Sequence, residues 1–144
     1  MGSVIVRQTA RQQAAFDREA AADADPSRFD SLKEPLTPSV AKAIHARWPG
    51  TIRYIGRQVV NPASPDGHVM TDLDIQTDHV VIQVKSGGSD GLSKQIDKSR
   101  MVTQAPVVAF VPKMSEARLT WYREHGYVVF RRLPELLDFL DSKR

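Results

Sequence analysis

The stretch Thr71-Asp72-Leu73-Asp74-Ile75-Gln76, then Thr77-Asp78-His79, then Val80-Val81-Ile82-Gln83-Val84-Lys85-Ser86-Gly87 constrains the fold more than any other part of the chain. Both arms alternate in polarity, the period of a β-strand. Leu73 and Ile75 are expected on one face, with Asp72, Asp74 and Gln76 on the other. In the second arm Val80, Ile82 and Val84 share a face opposite Val81, Gln83 and Lys85. A two-residue turn at Asp78-His79 pairs Thr77 with Val80, sets Asp74 opposite Gln83 and Asp72 opposite Lys85, and joins Leu73 and Ile75 to Ile82 and Val84 as one apolar surface. A three-residue turn would set aspartates against valines, which burial opposes. A four-residue loop keeps the favoured parity. Hydrophobic patterning thus gathers Asp72, Asp74, Gln83 and Lys85 on one patch.

Around this hairpin the chain alternates helical and strand patterns. Residues 7–24 are rich in good helix formers, but Phe16 is the only large apolar side chain there. Residues 1–36 therefore read as an N-terminal helical arm or linker ended by Asp25-Pro26-Ser27, with Met1-Gly2-Ser3 as an expression-vector remnant. Thr37-Pro38 is expected to cap a helix whose stripe is Val40, Ile44 and Trp48, stopped by Pro49-Gly50. A strand is expected over 51–60, a turn at Pro65-Asp66-Gly67, and a helix over 93–101. Val107 to Val111 reads as a strand covered on both faces, and Ser115 to His125 as a helix with Ser115 as N-cap and Gly126 as its stop. A strand over 127–130 and an amphipathic helix over 133–140 complete the order. That order predicts an α/β fold, a mixed central sheet flanked by helices, with residues 37–144 as the working domain.

The 144 residues suffice for a core without a staple, and the absence of cysteine excludes disulfides, thiolate zinc sites and cysteine nucleophiles. No apolar run is long enough to span a bilayer, so no membrane insertion is expected. A net charge of +3 is compatible with a polyanionic partner. His45, His68, His79 and His125 show no metal-ligand spacing, and His68 alone lies near the aspartate strand. Trp48, Trp121 and Tyr122 sit on helical stripes and are expected in the core.

A carboxylate and an amide oxygen suit a hard divalent cation that keeps waters and phosphate oxygens in its shell. A neighbouring lysine can orient water or neutralise charge growing on a phosphate. Asp72-Leu73-Asp74 followed by Gln83-Val84-Lys85 resembles the core of the PD-(D/E)xK nuclease superfamily, with Asp74 at the motif aspartate, Gln83 at the variable acid and Lys85 at the lysine. Gly91-Leu92-Ser93-Lys94-Gln95-Ile96 resembles the helix bearing a Lys/Gln pair in resolvase-like members and bacterial toxin nucleases. Over residues 37–144 the combination is most similar to the C-terminal toxin domains of contact-dependent growth inhibition (CdiA-type) proteins.

The resemblance implies a restriction-endonuclease-like core and a metal-dependent endonuclease. Catalysis would fall to Asp72, Asp74, Gln83 and Lys85, and metal binding to Asp74, Gln83 and Asp72. Mg²⁺ or Mn²⁺ is the implied ion, with Zn²⁺ as an alternative. It also implies tRNA before DNA as substrate, an immunity protein as partner, and export within a larger bacterial protein to act in a target-cell cytoplasm, or a cytoplasmic setting for a stand-alone nuclease. A Holliday-junction-resolvase or restriction-type DNase and an inactive nuclease-fold binding module are the alternatives. Lys94, Gln95, Lys98, Arg131 and Arg132 are the expected nucleic-acid contacts. Gln83 departs from the family's acid, and Ser39 to Trp48 holds no acid of the kind the family often supplies from its first helix. Glu34 and Glu19 are the nearest substitutes.

Overall fold

Short runs of β-branched residues line up side by side. The structure, a computed structural model, describes residues 2–61 and 69–144, with side chains from residue 9 onward. The Pro65-Asp66-Gly67 turn and His68 lie outside the described residues. Strands β1 (Ile52–Val60), β2 (Val69–Thr77), β3 (Val81–Val84), β4 (Val107–Phe110) and β5 (Val128–Phe130) form a five-stranded sheet in that spatial order. The β1–β2 and β2–β3 pairs are antiparallel, and β3–β4 and β4–β5 are parallel. The architecture is therefore α/β with a mixed sheet, as the element order predicts.

Helices α1 (Gly2–Asp23), α2 (Thr37–Arg47), α3 (Leu92–Val102), α4 (Glu116–Glu124) and α5 (Leu133–Ser142) flank the sheet, with a 3-10 turn at Pro26–Ser31. α3 and α4 are successive crossovers between parallel strands, and crossovers of one hand stepping one way lie on one side. There Leu92, Ile96, Leu119 and Tyr122 pack with Leu73, Val81, Ala109 and Val129. On the other side Phe29, Val40, Ile44, Leu136 and Leu140 pack with Ile55, Ile75, Ile82 and Val108. Each such aliphatic side chain contributes about 1.5–3 kcal/mol by leaving water. Every residue of β3 and β4 is buried, which is why Val107 to Phe110 reads as an unbroken apolar run.

The first helix covers the free edge of β1. Gln13 Nε2 donates to Gln58 O at 2.9 Å, and Val60 N donates to Gln13 Oε1 at 2.9 Å, so one side chain satisfies the edge as a neighbouring strand would. Asp17 accepts from Arg57 Nε at 2.7 Å, and Ala20 is buried.

Three expectations are corrected. Leu73 and Ile75 do not share a face: Leu73 packs with α3 and Ile75 with α2 and α5. Strand β2 must turn over between them, at Asp74. At the same level in β1, between the Ile55↔Ile75 and Arg57↔Leu73 pairs, stands Gly56 with φ +66, a left-handed conformation that glycine adopts without strain. Thr37 is not the cap of α2 but its first residue, and the Glu34 carboxylate does the capping. Trp121 is exposed, stacked on His125 with ring centroids 4.1 Å apart, whereas Trp48 and Tyr122 are core residues.

Candidate functional site

The hairpin keeps the register that burial selects. Ile75 pairs with Ile82 and Gln76 with Val81, and Thr77 N donates to Val80 O at 2.9 Å. The β2–β3 pairing stops there, and side chains bridge the gap that follows. Val84 N donates to Asp74 Oδ2 at 2.8 Å, while Gln83 Nε2 donates to Asp72 O at 3.1 Å. Each bond supplies a partner that the parting strands no longer give each other.

Because β2 turns over at Asp74, the expected common patch is divided. Asp74 lines a cleft of about 440 Å³ together with Glu19, Asp23, Glu34, Thr37 and Gly56. Gln83 turns the other way, toward α3, and is fully buried. Its Nε2 also donates to Ser99 Oγ at 2.7 Å, and its Oε1 accepts from Gln95 Nε2 at 3.0 Å. Ser99 in turn donates to Gln95 O at 2.9 Å and approaches Thr71 Oγ1 at 3.4 Å. Both amide donors of Gln83 are thereby used, and its Oε1, already accepting from Gln95, keeps one further lone pair within this buried cluster.

Asp74 is the electrostatic centre of the cleft. Burial pushes its carboxyl up to about 6; the negative charges of Asp72 and Glu34 push the same way and the Val84 amide opposes them. Glu34 is held by its own segment: Oε2 accepts from Leu36 N at 2.8 Å, from Thr37 Oγ1 at 2.7 Å and from Thr37 N. These bonds place an acid at the mouth of α2, within the field of Asp74, leaving Oε1 as the oxygen for a cation. Arg28 and Lys33 stand on the same rim, Arg28 paired with Asp23 at 3.3 Å.

A cation would find oxygen donors here of the hard, anionic kind that Mg²⁺ and Mn²⁺ take. Among the described residues no three His, Cys, Asp or Glu side chains already stand close enough together to chelate an ion. Such an ion would therefore keep waters or phosphate oxygens, as Mg²⁺ commonly does. The donor set fits it on those terms.

The remaining expected residues are placed as follows. Asp72 is exposed on β2. Lys85 follows Val84, and its ammonium donates to the Asp90 carbonyl. Its loop is tied down by Tyr122, whose hydroxyl donates to Ser89 O at 3.2 Å and accepts from Ser93 N at 3.2 Å. Lys94 and Lys98 are exposed on α3, whereas Gln95 points inward to Gln83. Arg131 pairs with Glu116 and donates to Met114 O at 3.3 Å, and Arg132 is exposed before α5.

Sequence reasoning missed the polar cluster beneath the strands. Its signal was available: Leu92, Ile96 and Ser99 are spaced i, i+4, i+7, which puts a hydroxyl on the apolar stripe of α3. Among the described residues no helix is long and apolar enough to cross a membrane. No family model matches the chain, and no curated protein or solved structure is matched by it either.

Proposed function

We propose that the chain is a divalent-metal-dependent endonuclease with a restriction-endonuclease-like (PD-(D/E)xK) core. The observation that supports this reading is the meeting of Asp74 and Glu34 in one cleft, with Asp74 bonded to the backbone of Val84, the residue before Lys85. Asp74 and Glu34 would hold the ion, and the exposed Asp72 adds negative charge near Asp74. A bound Mg²⁺ or Mn²⁺, or Zn²⁺ as the alternative, supplies Lewis-acid polarisation of the phosphate and a more acidic water. Lys85, once released from the Asp90 carbonyl, would neutralise the charge that grows on the phosphate as the water oxygen attacks phosphorus, the bond to the leaving sugar oxygen breaks and the water's proton passes through solvent to that oxygen. Gln83 serves as a positioning residue, fixing the Asp72 carbonyl against α3.

The resemblance to contact-dependent inhibition toxins makes tRNA the first substrate to test and DNA the second. It further proposes export as part of a larger bacterial protein and neutralisation by an immunity protein. The experiment is incubation of the protein with total RNA and with plasmid DNA, with Mg²⁺ or Mn²⁺ and with chelator. Cleavage that needs the ion and disappears in Asp74→Ala and Lys85→Ala is the expected result. Cleavage indifferent to chelator and to both variants overturns the assignment.

One observation favours a second reading, a nuclease-fold binding module without activity. The position of the family's second acid is a buried neutral glutamine whose amide nitrogen and oxygen are both hydrogen-bonded within the protein. Tight nucleic-acid binding with no cleavage under any ion would select it.

A further inference from the structure

The segment that carries Glu34 borders two depressions. Besides the Asp74 cleft, which Glu34 lines, a groove of about 290 Å³ is lined by Pro35, Leu36, Ser86, Pro112 and Lys113. Ser86 follows Lys85 just past β3, and Pro112 and Lys113 follow β4. Lys85 N donates to Phe110 O at 3.0 Å, which carries the β3–β4 pairing up to the lip of this groove. The carboxyl ends of parallel strands are where open α/β sheets place their ligands.

The groove's chemistry differs from that of its neighbour. Two proline rings and Leu36 make its walls apolar, and Lys113 is its only charged residue among the described residues. Lys85 lies immediately before Ser86, and Lys33 immediately before Glu34 on the rim of the Asp74 cleft. Lys113 thus sets a cation on an apolar slot, while the Lys85 ammonium, one residue before Ser86, is held on the Asp90 carbonyl, and Lys33 belongs to the rim of the neighbouring acidic cleft. A nucleic-acid strand alternates in the matching way, with anionic phosphates and a flat apolar base between them. In a duplex the base faces are covered by stacking, so only an unpaired base can enter.

We propose that this groove is a base-binding subsite for an unpaired nucleotide next to the phosphate handled at Asp74, which makes the substrate single-stranded or looped. The inference rests on the nuclease reading for its geometry, and the test below keeps the two separable. Proline rings and Leu36 pack against the base face, while Lys113 and, once released from the Asp90 carbonyl, Lys85 take the phosphates on either side. Apolar packing of this kind makes no hydrogen bond to a base edge and tolerates any base, so the subsite selects strandedness rather than sequence.

The test is binding without catalysis. Fluorescence anisotropy in chelator compares a labelled hexaadenylate, an abasic ribose-phosphate chain of the same length and a blunt RNA duplex. The wild type is expected to bind the hexaadenylate about five- to tenfold more tightly than the abasic chain, with the duplex no better than the abasic chain. Pro112→Glu and Ser86→Glu, both at exposed positions of the groove, should bring that ratio close to one. Asp74→Asn should leave it unchanged. Equal binding of hexaadenylate and abasic chain by the wild type, duplex binding as tight as hexaadenylate binding, or an undiminished ratio in both groove variants overturns the subsite. Failure of ion-dependent cleavage with the ratio intact overturns the nuclease reading alone.

Discussion

The side-chain amides of Gln83 and Gln95 meet at 3.0 Å, Nε2 of the second donating to Oε1 of the first, beneath the strands that carry Asp72 and Asp74. This contact faces α3, while Asp74 opens to the α2 side. The residue that resembles a second metal-binding acid therefore lies in a closed polar cluster, and Glu34 brings a carboxylate to the cleft instead.

Gln83→Glu restores the family's acid in sequence but not in chemistry. The change removes two N–H donors and sets a buried carboxylate against the Asp72 carbonyl and Ser99. A loss of about 3 kcal/mol or more at neutral pH is expected from urea unfolding, since a lone buried charge and lost donors are both costly. The deficit should narrow in acid, where a protonated Glu can donate again. A variant as stable as wild type at neutral pH would contradict the described network.

Gly56→Ala tests the turnover of the strands at Asp74. Nothing stands within 4 Å of the added methyl, so sterics with neighbours play no part. The cost comes from φ +66 and should be about 1–2 kcal/mol in thermal or urea unfolding. No measurable change would mean that the backbone there relaxes without penalty.

Asp74→Asn keeps an acceptor for Val84 N and removes the charge. The folded protein holds this carboxyl near 6, above the ordinary 3.8. Its stabilising proton is fully in place below about 3.8 and is lost as pH rises through about 6. In chelator, the variant should be the more stable by about 2–3 kcal/mol at pH 8, with the gap closing between pH 6 and pH 4. Parallel stability profiles over that range would show that Asp74 is not desolvated as described.

Much of this was legible in the sequence because short-range patterning decided it. Val80, Ile82 and Val84 must be buried together, which fixes the hairpin register and hence the Ile75↔Ile82 pair. The facing of Leu73 was not legible. Strict alternation assigns it to the side of Ile75, and only the rotation of β2 at Asp74, matched by Gly56 across the pair, sends it to α3. Glu34 was visible as an acid before a helix, but its neighbourhood with Asp74 depends on how the 33–37 segment crosses the sheet end. Trp121 shows the limit of helical stripes: α4 is covered on one side only, and Leu119 and Tyr122 take that side.

The most direct measurement is calorimetric titration of Mn²⁺ into the protein at pH 7.5, repeated with Asp74→Ala and Glu34→Gln. Assignment of the ion to Asp74 and Glu34 requires a single saturable site in the wild type, its heat abolished by Asp74→Ala and its affinity reduced about tenfold or more by Glu34→Gln, as loss of one of two anionic donors should do. No saturable heat in the wild type, or a site that survives Asp74→Ala unchanged, would contradict it.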